Sequence, residues 1–141
     1  MSSGHKRQHL LNKKIYYHDT DCGGVVYYAN YLKYLEEGRT EFLGSLGINA
    51  PDYARKGVVF PVVRIEADYK APARYGDKIT VLTSLEKAGR ASVMFCQQVK
   101  RDDILLFSGI VTLACVDSRM KTRPMPAEIR EKIEEWISAG A

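Results

Sequence analysis

The chain has few of the residues that announce a specialised architecture. Its 141 residues include three cysteines, Cys22, Cys96 and Cys115, too few and too scattered for a disulfide framework or a zinc knuckle. Cys96 and Cys115 sit in apolar runs and read as small buried residues. No apolar run approaches the roughly 20 residues of a membrane span, and the polar start "MSSGHKRQHLLNKK" lacks the hydrophobic stretch of a signal peptide. A soluble cytoplasmic protein without stable membrane insertion is therefore expected. His5, His9 and His18 have no metal-ligand spacing with the cysteines, so no metal centre is expected either. The chain also lacks GxGxxG, a P-loop lysine motif, a GxSxG elbow and HExxH.

The charge excess is small. A formal net charge of +4 is spread along the chain, apart from "GHKRQ" and "NKK" at the start and "SRMKTR" near the end. Nucleic-acid binding concentrates basic residues on one stripe with stacking aromatics between them, and that pattern is missing. Solvated surface accounts for this charge, and attraction of an anionic small ligand such as a nucleotide-bearing group is the other reading.

What is present suits one globular unit. At 141 residues with 45% apolar content, a single domain over 1–141 is expected. "KKIYYH" (13–18) reads as a short first strand. "YYANYLKYLEEGRTEFLGSLG" then shifts to a helical period, with Leu32, Leu35, Phe42 and Leu46 on one side. Gly44 or Gly47 can end this helix, and Gly38 inside it costs about 1 kcal/mol relative to alanine, which suggests that another backbone passes close by. From residue 58 the pattern is extended: "VVFPVVRIEADYKA" with Pro61 marking an edge or bulge, "KITVLTSLEKA", "ASVMFCQQVKR" and the continuously apolar "ILLFSGIVTLACVD", read as a central strand covered on both faces. The short turns "RYGD", "GR" and "DD" make these strands antiparallel. A last helix over 127–138 follows Pro126, with Ile129, Ile133, Trp136 and Ile137 on one side. The element order predicts an α+β fold with one antiparallel sheet packed on its helix.

The chemistry concentrates in "HDTDCGG", between the first strand and the long helix. The first turn of a helix leaves unpaired N–H groups at the positive end of its dipole, and such groups can hold a carbonyl oxygen that gains negative charge. Gly23 and Gly24 allow a sharp turn and a close approach to a ligand. A neighbouring carboxylate could attack a bound carbonyl or activate water. Asp before a helix is equally a routine cap, and "DTDCGG" can be a plain turn. The residues alone leave these readings open.

Taken whole, "YYHDTDCGGVVYYANYLKYLEEGRTEFL", with "FPVVRIEADYKAPARYGD" and "CVDSRMKTRPMP", resembles the signature of the hotdog-fold acyl-CoA thioesterases, roughly YxDTDxGGVVYHxxYxxxxExxRTE. The resemblance covers about residues 12–126. It points to the YbgC-like branch associated with the Tol–Pal system, in the superfamily of 4-hydroxybenzoyl-CoA thioesterase. It implies a five-stranded antiparallel sheet wrapped around a long central helix, plus a C-terminal helix, with chains pairing into homodimers and often homotetramers. The implied activity is hydrolysis of an acyl-CoA to a carboxylic acid and CoA. No cofactor is implied, because CoA is part of the substrate, and acyl carrier protein is the alternative carrier of the acyl group.

Carried onto this sequence, the resemblance makes Asp21 the catalytic nucleophile or general base and the backbone N–H of Tyr28 the group that polarises the thioester carbonyl. Asp19 becomes a turn organiser, and Gly23 and Gly24 shape the turn. His18 is expected to border the substrate, and Arg64, Arg74, Arg90, Lys121 and Arg123, which fall at strand ends, at turns or in the basic tail motif, are the candidates to hold the CoA phosphates. Two positions depart from the pattern: Tyr28 stands where histidine is common, and Cys22 where alanine or proline is common. A backbone donor survives the first change, and Cys22 is expected to be a bystander. Two rival readings stand beside the hydrolase: an acyl-thioester dehydratase or hydratase of the same fold using His18 with an acid, and a non-catalytic protein, either an acyl-CoA-binding sensor or a partner-binding scaffold.

Overall fold

The structure is a computed structural model that describes residues 7–21 and 23–140; Cys22 and His5 lie outside the described residues. The elements run β1 (His9–Lys14), a single 3-10 turn (Tyr17–Asp19), α1 (Asn30–Ser45), α2 (Ala50–Arg55), β2 (Val62–Tyr69), β3 (Lys78–Ala88), β4 (Ser92–Arg101), β5 (Ile104–Ala114) and α3 (Ala127–Ala139). The strands form one antiparallel sheet in the order β1-β3-β4-β5-β2. No helix among the described residues is long and apolar enough to cross a membrane.

The first strand lies earlier than the aromatic run suggests. β1 pairs with β3 from His9↔Thr83 to Lys14↔Lys78. "YYH" leaves the sheet because the Asp19 carboxylate accepts the Tyr16 N–H at 2.8 Å and draws the chain into the 3-10 turn. Ile15 stays fully buried between them. Pro61 precedes β2, which is an edge strand with an irregular register between Val62 and Arg64, as the proline indicates. Residues 58–61 are outside the strand, held by the bridge between Val59 and Val116 and by the Ala114 N–H on Pro61 O at 3.0 Å. Pro51 falls inside α2, a short helix that the sequence reading lacked, capped by the Asn49 side chain on the Asp52 N–H at 3.2 Å.

The buried face of α1 also differs from the expected leucine stripe. It is Tyr31, Tyr34, Leu35, Gly38, Arg39 and Phe42, while Leu32 is exposed and Leu46 half-buried. Spacings of three, four and seven hold, but tyrosine, glycine and arginine occupy the positions. The helix lies over β1 and β3. A Cβ on Gly38 would stand 2.8 Å from Val81 Cγ1 and 2.9 Å from Thr83 Oγ1, so side chains of the sheet, not a passing backbone, require the glycine. Beside it Gln97 is fully buried, its Nε2 donating to Leu35 O at 2.9 Å and Thr83 Oγ1 at 3.0 Å and its Oε1 accepting from Arg39 at 3.0 Å. The helix stops at Gly47 (φ +79), where Ile48 N–H returns to Leu43 O at 2.9 Å.

α3 adds Ile129, Ile133 and Trp136 to the same side of the sheet, and Trp136 meets Phe42 at 4.9 Å between ring centroids. β5 is not sealed on both faces. Leu106, Phe107, Val111 and Leu113 are buried, whereas Ser108, Ile110 and Thr112 remain half-exposed on the outer face. All eight residues of β2 are exposed.

Candidate active site

The Asp19–Gly24 segment folds as a tight turn closed by backbone bonds. Asp21 N–H donates to Val25 O at 2.9 Å, Gly24 N–H to Asp21 O at 3.1 Å, and Thr20 bridges Val26. Gly24 sits at φ +80, a left-handed conformation that a side chain would strain. Gly23 N–H donates to Asp21 Oδ1 at 2.8 Å, and a Cβ there would come within 3.3 Å of that oxygen.

The two aspartates have different surroundings. Asp19 is 8% exposed, and its backbone oxygen accepts Asn30 Nδ2 at 2.8 Å and Tyr27 N–H at 3.2 Å, which ties the turn to the start of α1. The Tyr34 hydroxyl is buried near the Asp19 carboxylate without a hydrogen bond of regular geometry. Burial first, and Asp19 second, hold that phenol well above the ordinary tyrosine range. Asp21 is exposed, and among the described residues its carboxylate is engaged only by Gly23 N–H.

A second segment braces the turn from outside. Ala73 O accepts Val26 N–H at 2.8 Å, Arg74 bridges Val25, and Tyr75 N–H reaches Gly24 O at 3.1 Å. Ala73 N–H in turn donates to the buried Tyr31 hydroxyl at 2.9 Å, and burial raises that phenol's pKa. Asp77 Oδ2 closes this segment by accepting Arg74 N–H at 2.8 Å and Arg101 Nη1 at 2.9 Å. Sequence reasoning missed Tyr31, Asp77 and Arg101 as supports; only the "RYGD" turn signal marked the place.

At the helix start, Asn30, Tyr31 and Leu32 N–H groups bond back to Tyr27, Tyr28 and Ala29. The N–H groups of Tyr28 and Ala29 meet no acceptor among the described residues. They carry the positive end of the helix dipole. The Tyr28 side chain is exposed, and its backbone oxygen accepts the Tyr69 hydroxyl at 3.2 Å. Among the described residues, the turn offers a carboxylate with one committed oxygen and the helix start offers two backbone donors without an acceptor.

A scan of family models matches the thioesterase-like superfamily over residues 16–133. The chain belongs to that superfamily. It is 34% identical over 119 residues to the acyl-CoA thioesterase YbgC of Haemophilus influenzae, covering 83% of this chain and 88% of that protein. It is 36% identical over 118 residues to the acyl-CoA thioester hydrolase YbgC of Escherichia coli, covering 82% and 88%. Among solved structures, the Thermus thermophilus protein TT1821 superposes with a TM-score of 0.85 at 30% identity, covering 90% of this chain and 98% of that one. The five-stranded antiparallel sheet on its central helix is the hotdog fold of this superfamily.

Within the superfamily frame, the remaining sequence-selected residues separate into groups. His18 is exposed on the 3-10 turn and stacks on Tyr16 at 5.9 Å, and among the described residues no hydrogen bond joins its side chain to the Asp21 turn. Arg74 is the one selected cation beside that turn. Arg64 lies on β2 and pairs with Glu66 at 2.7 Å. Arg90 and Arg123 come together at the far end of the sheet, where Met125 N–H meets Arg90 O and Arg123 N–H meets Cys115 O, both at 3.0 Å. Lys121 joins them through its exchange with Asp117. The length of β3 separates that end from Arg74 by roughly 30 Å.

Proposed function

We propose that the protein hydrolyses acyl-CoA thioesters to a carboxylic acid and CoA, with Asp21 as the reacting carboxylate. The observation that carries this reading is the exposed Asp21, anchored by Gly23 N–H on a turn tied to a helix start whose Tyr28 and Ala29 N–H groups meet no acceptor among the described residues. A thioester carbonyl oxygen set against those donors gains charge as the carbon becomes tetrahedral. Asp21 either takes a proton from the attacking water or bonds to the carbon itself. In both courses the C–S bond breaks, the sulfur leaves as CoA thiolate, and water supplies the second oxygen of the released acid. The identities to YbgC enzymes support the acyl-CoA class. The His18 ring is stacked on Tyr16, and no contact with an acid among the described residues supports the dehydratase reading.

The working form is a two-fold assembly through β2. This strand ends the sheet with its hydrogen-bonding edge open and Val62, Val63, Ile65 and Tyr69 exposed, which an unpaired strand ordinarily avoids. Antiparallel pairing of two β2 strands sets the Arg90–Lys121–Arg123 end of one chain beside the Asp21–Arg74 end of the other. The CoA phosphates then draw on cations of both chains, and acyl carrier protein would present its pantetheine arm to the same region.

The test is thiol release from short, long and aromatic acyl-CoAs and an acyl carrier protein thioester, for the wild type and Asp21→Asn. A loss of about 10²-fold or more is expected in the variant. Turnover that survives the substitution removes Asp21 from the chemistry. Sedimentation should give at least twice the 15.9 kDa chain mass, and a monomer overturns the two-fold assembly.

A further inference from the structure

The two peptide units that offer donors at the start of α1 are held unequally. The Tyr27–Tyr28 unit, which carries the Tyr28 N–H, has its oxygen bonded by Asn30 N–H at 2.8 Å. The Tyr28–Ala29 unit, which carries the Ala29 N–H, accepts Tyr31 N–H at the longer distance of 3.2 Å. No side chain caps this end, because Ala29 stands at the cap position. A second bond comes from the sheet: Tyr69, the last residue of β2, donates its hydroxyl to the same Tyr28 oxygen at 3.2 Å.

A trans peptide unit is planar, so its C=O and N–H point in opposite directions. A group that holds Tyr28 O therefore sets the direction of the Ala29 N–H on the other side. Accepting a hydrogen bond at the oxygen also polarises the unit and makes its N–H the stronger donor.

Two buried rings bring the phenol to this place. Tyr69 lies opposite Phe107 in the β2–β5 register, with ring centroids 4.9 Å from Phe107 and 5.7 Å from Tyr31, both buried. The exposed Tyr28 ring completes the contact at 5.8 Å. Packing explains the ring but not the hydroxyl, since a residue 49% exposed could give its O–H to water. Burial first, and Tyr28 second, raise the pKa of the phenol, which keeps its proton available to donate.

We propose that Tyr69 is a positioning residue of the hydrolase site, its hydroxyl acting through Tyr28 O to aim and strengthen the Ala29 N–H that meets the thioester oxygen. Tyr69 itself touches neither substrate nor reacting atoms. The inference rests on the hydrolase reading, in which Ala29 N–H is one of the two donors.

Tyr69→Phe keeps the ring contacts and removes only the hydroxyl. It is compared with the wild type and Asp21→Asn in thiol release, thermal melting and amide NMR. Outright loss of an oxyanion donor costs about 10²–10³-fold in kcat, so a donor left in place but misaimed should cost about tenfold. KM should stay within about twofold, because the interaction grows only in the transition state. The melting temperature should hold, since Tyr28 O keeps Tyr31 N–H and takes up water. The Ala29 amide resonance should move more than that of Gly23. An Ala29 amide that does not move, or a kcat that falls only together with the melting temperature, overturns the proposal. Asp21-dependent turnover that Tyr69→Phe leaves intact overturns it alone, with the hydrolase reading standing. A wild type that releases no thiol from any acyl-CoA overturns the hydrolase reading and this inference with it.

Discussion

Arg101 and Asp77, 24 residues apart in sequence, meet at 2.9 Å beneath the turn that carries Arg74. The same Asp77 oxygen holds the Arg74 N–H, and Arg101 also donates to Pro72 O at 3.1 Å. Because residues 73–75 bond to Gly24 and Val26, this pair holds the outer wall of the Asp21 turn.

Replacing Arg101 with Met should therefore act on the turn before it acts on the sheet. Loss of a charged hydrogen bond at a mostly buried pair is expected to lower stability by about 2 kcal/mol. Misplacement of Asp21 should lower thioester turnover by roughly 10–100-fold. Thermal melts and thiol release measure the two effects. Unchanged turnover in a protein that melts earlier would show that the pair serves stability alone.

Two glycines of α1 should respond with opposite signs to the same substitution. Gly38→Ala gains about 1 kcal/mol of helix propensity, but its methyl would lie 2.8 Å from Val81 Cγ1 and 2.9 Å from Thr83 Oγ1. Overpacking of this kind costs about 1–3 kcal/mol, so a lower melting temperature is expected, recovered in part by Val81→Ala. At Gly44 a Cβ meets nothing within 4 Å, and Gly44→Ala should raise stability by up to about 1 kcal/mol. Melting both variants checks the contrast; a stabilised Gly38→Ala would mean that helix and sheet are not in close contact there.

A pH effect is expected where α3 begins. Glu128 accepts the Tyr53 hydroxyl at 3.0 Å, and its pKa is held below the ordinary carboxylate value by its own backbone N–H first and by Tyr53 second. A carboxylate depressed in the folded state contributes stability above its unfolded pKa, and the contribution is lost as pH falls through the folded value. Tyr53→Phe should raise the Glu128 pKa toward the ordinary value, read by NMR titration, without altering thioester turnover. An unmoved titration would show that the hydroxyl does not reach the carboxylate in solution.

The parts of this fold that could be read from sequence are those where one periodicity operates alone. Val93, Phe95 and Val99 give β4, and Ile129, Ile133 and Trp136 give α3. Gln97 shares the parity of that β4 stripe and is equally buried, but its polarity hides it until Leu35, Thr83 and Arg39 supply partners. Tyr31 and Arg39 are obscured in the same way, since their polar groups are buried on α1 where Ala73 and Gln97 meet them. At the site, composition and spacing marked the turn and the helix start. They could not separate Arg74 from Arg90 and Arg123, because that separation is a property of strand order. Nor could they find Asp77 with Arg101, whose contact depends on how β3 and β4 pair.

The tight turn at Asp19–Asp21 has a consequence for how this region can vary in length. A strand would send both acids to the same side; here the 3-10 turn ends at Asp19 and directs its carboxylate inward, while one residue later Thr20 enters the bridge with Val26 and leaves Asp21 facing water. Thr20 acts as a spacer of one residue between two chain geometries. An insertion or deletion at that point would break the register of the Thr20–Val26 bridge and displace Asp21 relative to the Asp19 anchor. Substitutions around Thr20 should thus be tolerated more readily than any change in the count of residues between the two aspartates.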